Sequence, residues 1–317
     1  MRRLVVPLSA MVLLAGACGT SGDPESDSAG SDELADPTGQ QEDQVLSEGD
    51  GTYEVRTVTF TDATRDTRDE PGRDLTTDIY VPGGDGPFPL IVHAHGLAGS
   101  SAKFSDLLGK WAGAGYVVVA PNFPLTNDGV PEDERDLGDY RNQPGDLRHV
   151  LDEVLEMNSP GGELEGLVSE DHIGISGLSL GGATTYPTLF HSCCADERYR
   201  AAILMSALEM PFEPGAYDYE GSGPFPVLAF AGTSDDAIPY DLQQSIIAKL
   251  PGPTWNVTLH DGEHAAPFEN QQADHDDLVV ASTLAFWAHT LRDSDEHGPQ
   301  IFESATVPGL SSVEHSP

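Results

Sequence analysis

Gly177-Leu178-Ser179-Leu180-Gly181 sets a serine between two glycines, and Gly182 extends the patch of small residues. A serine hydroxyl is a weak nucleophile at neutral pH and needs a base beside it. The G-x-S-x-G spacing suits a sharp strand-to-helix turn that lifts the hydroxyl above a sheet. The N-terminus of the following helix favours the negative charge that an attacked carbonyl develops. In this arrangement an acid follows the serine along the chain, and a histidine follows the acid. Asp235 and Asp236 come just after the apolar run 227–231, and His264 comes after 255–259. Consecutive side chains point in different directions, so only one of the two aspartates can accept a hydrogen bond from imidazole Nδ1. His264, beyond the Gly262 turn, is the expected general base. His260 adjoins a strand end and His275 lies where the next helix starts, so both are expected to serve structure.

Attack on a carbonyl also needs N–H donors aimed at the developing oxyanion. His93-Ala94-His95-Gly96-Leu97-Ala98-Gly99 follows the apolar run 90–92. The expected donors are the backbone N–H groups of Leu97 and Leu180, each worth on the order of 3 kcal/mol in the transition state. His93 and His95 lack a third ligand at metal-binding spacing and are expected to buttress this loop. Neither a metal nor a cofactor is expected. Cys193 and Cys194 are adjacent; such neighbours can close a strained eight-membered ring, but a packed helix end or two separate thiols is the more frequent outcome and the expectation here.

The elements that must position these groups alternate along the chain. Strands are expected over 53–60 and 75–81, then over 90–92, 116–120, 173–176, 201–205, 227–231 and 255–259. Helices are expected over 104–112, 143–157, 180–190, 242–250 and 278–291. Buried apolar strands alternating with helices predict an α/β fold: a mostly parallel central sheet with helices on both faces. The first two strands have no helix between them and are expected to form an antiparallel edge. Sites in such sheets lie at the carboxyl ends of the strands. The stretches 206–226 and 122–142 are too rich in Pro, Gly or acidic residues for a helical cover, so no large lid domain is expected.

Composition bounds the setting. Arg2 and Arg3 precede the apolar stretch 4–15, which leads through Gly16 and Ala17 to Cys18. This is the pattern of a signal peptide, and it resembles a lipobox whose Cys18 would carry a lipid anchor. Residues 19–50 hold ten acidic residues and no Lys or Arg, so they are expected to form a disordered linker. The hydrolase domain is expected over 51–292 and a C-terminal tail over 293–317. With 53 acidic against 15 basic residues, the net charge of -38 excludes nucleic acid as a partner. A membrane is expected as partner only through the anchor, on the outer face of the cell membrane, and the protein is expected to be a monomer.

Leu75-Thr76-Thr77-Asp78-Ile79-Tyr80-Val81-Pro82, Pro89-Leu90-Ile91-Val92-His93-Ala94-His95-Gly96 and the elbow Gly177 to Thr184 together resemble one family. The pattern is similar to the α/β-hydrolases related to platelet-activating-factor acetylhydrolase, chlorophyllase, dienelactone hydrolase and the cutinase-like polyester hydrolases. In that group the catalytic Asp stands three residues after a Gly and four before a Pro. Gly232 and Pro239 satisfy both for Asp235 and not for Asp236. The resemblance thus implies a Ser179–His264–Asp235 triad that cleaves small or polymeric carboxylic esters through an acyl-enzyme, and the lack of a helical cover over 206–226 and 122–142 adds the expectation that short acyl groups are preferred. Leu97 and Thr184-Thr185 stand where the polyester branch usually has an aromatic residue and a Trp. A peptidase, an acyltransferase and a polyester hydrolase are the alternatives on the same triad. A non-catalytic surface-binding protein is the alternative from another class.

Overall fold

The apolar runs 90–92, 117–119, 203–205 and 227–231 lie side by side because parallel strands must be covered on both faces. The computed structural model describes residues 46–317. The signal peptide, Cys18 and the linker up to residue 45 lie outside the described residues. Six strands run parallel: β3 (Phe88–Ala94), β4 (Val117–Asn122), β5 (Val168–Leu178), β6 (Tyr199–Met205), β7 (Val227–Gly232) and β8 (Thr254–Leu259). The opening strands β1 (Tyr53–Asp62) and β2 (Arg73–Pro82) form the expected antiparallel edge. A further strand, β9 (Ser311–Ser316), pairs antiparallel with β8. The sheet order is β1-β2-β4-β3-β5-β6-β7-β8-β9.

The period-two alternation of each strand feeds two separate cores. Leu90, Val92, Val117, Val119 and Ala229 point to the face covered by α2 (Gln143–Met157), α3 (Leu180–Phe190) and α4 (Tyr240–Ile247). Ile91, Val118, Leu228 and Phe230 point to the face covered by α1 (Ser105–Gly113), α5 (Ala273–Leu291) and α6 (His297–Ala305). On that second face Trp111 and Trp287 meet edge-on at 5.8 Å.

Two boundaries differ from the sequence expectation. The segment 293–317, expected as a tail, supplies α6 and β9 to the hydrolase fold. Ile301 and Ala305, four residues apart on one helical face, are fully buried, and β9 covers the edge that β8 would otherwise leave unpaired. Residues 46–50, expected in the linker, are docked on the domain. Ser47 N–H donates to Pro87 O at 2.9 Å, and Arg292 donates to Ser47 O at 2.8 Å.

One polar knot is enclosed within the first face. Arg73 on β2 donates from Nε and Nη2 to both oxygens of Asp146, at 2.7 Å each, and from Nη2 to Asp139 at 2.6 Å. All three side chains are buried. Arg65 adds a contact to Asp146 at 2.8 Å. The knot binds the start of α2, and the turn before it, to the sheet. Removing one member of such a cluster strands the opposite charges in a medium that cannot solvate them. Arg73→Leu is therefore expected to lower the unfolding free energy by about 3–5 kcal/mol in urea titrations. A loss below about 1 kcal/mol would contradict a structural role for these ion pairs.

Candidate active site

β5 ends at Leu178 and α3 begins at Leu180, so Ser179 alone makes the turn. Its φ of 54° and ψ of −114° lie where a non-glycine residue is strained. Its neighbours are glycines because there is no room for anything else. A Cβ on Gly177 would meet Gly181 O at 2.4 Å, and one on Gly181 would meet Ala94 O at 2.0 Å. The Ser179 turn is thus wedged against the end of β3. The Gly96 loop sits equally close: a Cβ there would come within 3.3 Å of Ser179 Cβ.

The strand register brings the other groups to the same end of the sheet. Leu178 pairs with Met205, Met205 with Phe230, and Gly232 with Leu259. Asp235 lies three residues past β7, and His264 five past β8. His264 Nδ1 lies 2.8 Å from Asp235 Oδ2, and the Asp235 side chain is fully buried. The other contacts of this carboxylate come from the Ala237 N–H at 2.9 Å, the Ile238 N–H at 2.8 Å and the Gln243 amide at 2.9 Å. Burial alone would raise its pKa. The hydrogen bond from His264, with those from the Ile238 and Ala237 N–H groups, outweighs it and holds the carboxyl below the usual range. Asp236 is exposed. Gln243, which also donates to Ile238 O at 2.7 Å, was invisible as a supporting residue, since a glutamine on a short amphipathic helix reads as solvated. Among the described residues neither the Ser179 hydroxyl nor His264 Nε2 takes a hydrogen-bond partner, which leaves both free for reacting atoms.

The two N–H groups expected as oxyanion donors, those of Leu97 and Leu180, lie in the Gly96 loop and at the start of α3, on either side of Ser179. Leu180 opens α3, where the first N–H groups have no intrahelical acceptor. In the loop after β3 the Ala98 N–H donates to Thr126 O at 2.7 Å, while the Leu97 N–H has no partner among the described residues. The Leu97 side chain is 45% exposed at the mouth of the site.

The remaining histidines are structural by their contacts. His95 Nδ1 lies 2.7 Å from Gly96 O, and its Nε2 accepts from the Phe123 N–H at 3.0 Å. That pattern requires a neutral ring with its proton on Nδ1. Burial pushes its pKa down to about 4, which keeps it neutral. His93 lies 2.9 Å from Ser176 Oγ and packs on Phe104, so the two rings do not converge on a metal. His275 Nε2 donates to His260 O at 2.9 Å, which ties α5 to the end of β8.

Cys193 and Cys194 form a disulfide with each other rather than two thiols. His191 lies beside it, with Nδ1 3.0 Å from Cys193 Sγ and Nε2 donating to Phe212 O at 3.1 Å. Both sulfurs are consumed by the bond, and His191 Nδ1 also accepts the Cys193 N–H at 3.2 Å, so this His-Cys-Cys group is held by its own contacts. The connection 206–226 contains no helix. It is pinned down by the Tyr217 hydroxyl on Met210 O at 2.9 Å and the Tyr140 hydroxyl on Pro211 O. Phe212 then packs with Tyr140, Leu180 and Ala183 as a small apolar patch beside the nucleophile turn.

A family model described as Chlorophyllase matches residues 42–207, just over half of the 317-residue chain. The chain belongs to the chlorophyllase family. It is therefore an α/β-hydrolase, from a family of ester-cleaving enzymes. The chlorophyllase match spans β1 to β6, and so includes the Gly96 loop and the Ser179 elbow. It ends before Asp235 and His264, whose pairing rests on geometry. A search of curated proteins returned no match.

In this chlorophyllase-family chain Asp235→Asn is expected to cost on the order of 10,000-fold in kcat, because it reverses the tautomer that His264 presents. Asp236→Asn is expected to stay within about two-fold, as for an exposed substitution that touches neither histidine nor serine. Ester hydrolysis by both purified variants checks this, and a dead Asp236 variant beside an active Asp235 variant would reverse the assignment.

Proposed function

We propose that the protein is a serine carboxylic-ester hydrolase that works through an acyl-enzyme. The observation that carries this reading is the 2.8 Å contact between His264 and the buried Asp235, at the same sheet edge as a serine held at φ 54°. In the first step Ser179 Oγ attacks the ester carbonyl while His264 Nε2 takes the hydroxyl proton. Asp235 keeps the proton on Nδ1 and stabilises the imidazolium. The tetrahedral oxyanion is held by the Leu97 and Leu180 N–H groups. His264 then gives its proton to the departing alkoxide, which leaves as the alcohol. A water, deprotonated by His264, attacks the acyl-serine, and collapse of the second tetrahedral intermediate releases the acid and restores Ser179. The pattern from Arg2 to Cys18 supports export with a lipid anchor in this reading.

The acyl group is expected to be short. The patch of Tyr140, Leu180, Ala183 and Phe212 is small, and the 206–226 connection adds no helix that would cover a longer chain. Ser179→Ala is expected to lower kcat on the order of a million-fold and to abolish labelling by a fluorophosphonate probe, with the fold retained. Hydrolysis within a few-fold of the parent would remove Ser179 from the mechanism. A p-nitrophenyl ester series from acetate to palmitate is expected to peak at about two to eight acyl carbons, with no jump in rate above the solubility limit. A palmitate optimum, or a sharp rise at the interface, would show a long acyl groove or a lid.

A further inference from the structure

Three polar side chains lie fully buried between the nucleophile helix and the loop after β3: Thr126, Gln143 and Thr184. Gln143 Nε2 donates to Thr126 Oγ1 at 2.9 Å. Gln143 Oε1 accepts from the Thr184 hydroxyl. That hydroxyl also lies 3.1 Å from Leu180 O, so its one proton faces two acceptors. On the other side, Thr126 O accepts the Ala98 N–H at 2.7 Å, one residue beyond Leu97. The chain of contacts therefore starts one peptide beyond one oxyanion donor and ends at the carbonyl of the residue that carries the other, with Gln143 in the middle.

A buried amide is costly unless both its ends are hydrogen-bonded, and an apolar side chain of the same volume would fill this space without that requirement. Glutamine differs from such a side chain in carrying a donor and an acceptor at one tip. That is what is needed to hold a hydroxyl on either side. Gln143 is itself fixed, since it opens α2 next to Pro144, three residues before the Asp146 that Arg73 grips. We infer that Gln143 is a positioning residue that sets the separation of the Leu97 and Leu180 N–H groups. This rests on the proposed assignment of those groups as oxyanion donors. Other contacts act on the loop after β3 without reaching α3: His95 Nδ1 on Gly96 O at 2.7 Å, Asp128 N–H on Gly99 O at 2.9 Å, and Lys103 Nζ on Ala98 O at 2.7 Å. Gln143 reaches both sides. Hydrogen-bond donors stabilise an oxyanion only at the right distance from where its charge appears. A slackened pair should therefore weaken the transition state while leaving the bound ester unaffected.

The test compares the parent with Gln143→Met, which keeps the length and removes both hydrogen bonds. Active sites are first titrated with a fluorophosphonate, so that rates refer to competent enzyme. The expected result is full titration, KM within about two-fold, and kcat lower by on the order of 10-fold to 100-fold. Inhibition by a trifluoromethyl ketone, which forms the tetrahedral oxyanion, should weaken by the same factor. Thr126→Val should reproduce the loss and Thr126→Ser should restore the parent values. That pair decides the matter if Gln143→Met does not fold. An unchanged kcat in a fully titrated Gln143→Met overturns the inference. So does a loss that appears only as fewer titratable sites, which marks a structural role. A parent that the fluorophosphonate does not label would sink the proposed hydrolase mechanism itself, a result distinct from either.

Discussion

Everything at the site depends on one residue being held where it would not settle by itself. Ser179 stays at φ 54° because β5 feeds it into α3 with no spare residue, and because the surrounding backbone leaves no alternative path. Strain of this kind costs on the order of 1–3 kcal/mol and persists only when neighbouring structure over-determines it. The over-determination is visible. Gly181 passes so close to Ala94 O that even a methyl group is excluded, and Ser179 N–H is tied to Met205 O at 3.0 Å. The serine side chain is thereby lifted out of the sheet, toward the loop that follows β3.

The remaining groups reach that point through the sheet rather than through contact with the serine. Because β5, β6, β7 and β8 are parallel neighbours in register, their carboxyl ends form one rim. Asp235 and His264 need only short loops to reach each other along it. A parallel sheet of this kind must be buried on both faces, which explains the two cores, and the cores make the rim rigid. The largest buried polar groups hold one another, as in the Arg73–Asp146–Asp139 knot and the Gln143 bridge. Both lie on the α2 side, so the helix that carries Gln143 is anchored by ion pairs before it takes part in the site.

Most of this rim was legible in the sequence because it is written in short-range signals. Glycines beside Ser179 mark a turn with no room for side chains, and the valine-rich runs of β3 and β4 mark strands buried on both faces. Asp235 could be separated from Asp236 only through the spacing of Gly232 and Pro239, and the structure shows the physical difference as burial. What escaped notice depends on distant partners. Nothing near Ile301 and Ala305 marks a helix as buried, since two apolar positions among polar ones look like surface. β9 is polar because one of its sides faces water, so it reads as tail. Arg73, Gln143 and Gln243 have side chains that normally seek solvent, and only three-dimensional partners reveal them as interior. Adjacency allowed the Cys193–Cys194 ring but did not select it over two thiols, because local backbone geometry decides between them.

The charge balance bears on how the site is built. With 53 acidic against 15 basic side chains, the field of the whole protein opposes a negative charge developing on a substrate oxygen. Distant carboxylates are screened by salt within about 10 Å, so the opposition that matters is local. At the site the nearest carboxylates are arranged to do little harm. Asp235 is neutralised in effect by four hydrogen-bond donors and by the imidazolium that forms beside it. Burial raises the pKa of Glu269, while the nearby Lys103 and His264 oppose that rise. Lys103, one of three lysines in the chain, sits on the carbonyl of Ala98, at the back of the loop that presents Leu97. Its ammonium is thus held by a backbone carbonyl of that loop. In the proposed mechanism the stabilisation falls to neutral backbone dipoles, whose worth depends on direction and distance far more than a point charge does. In the proposed mechanism this is why an acidic protein needs its donors fixed so rigidly, and why the buried contacts behind Leu97 and Leu180 would matter as much as the donors themselves.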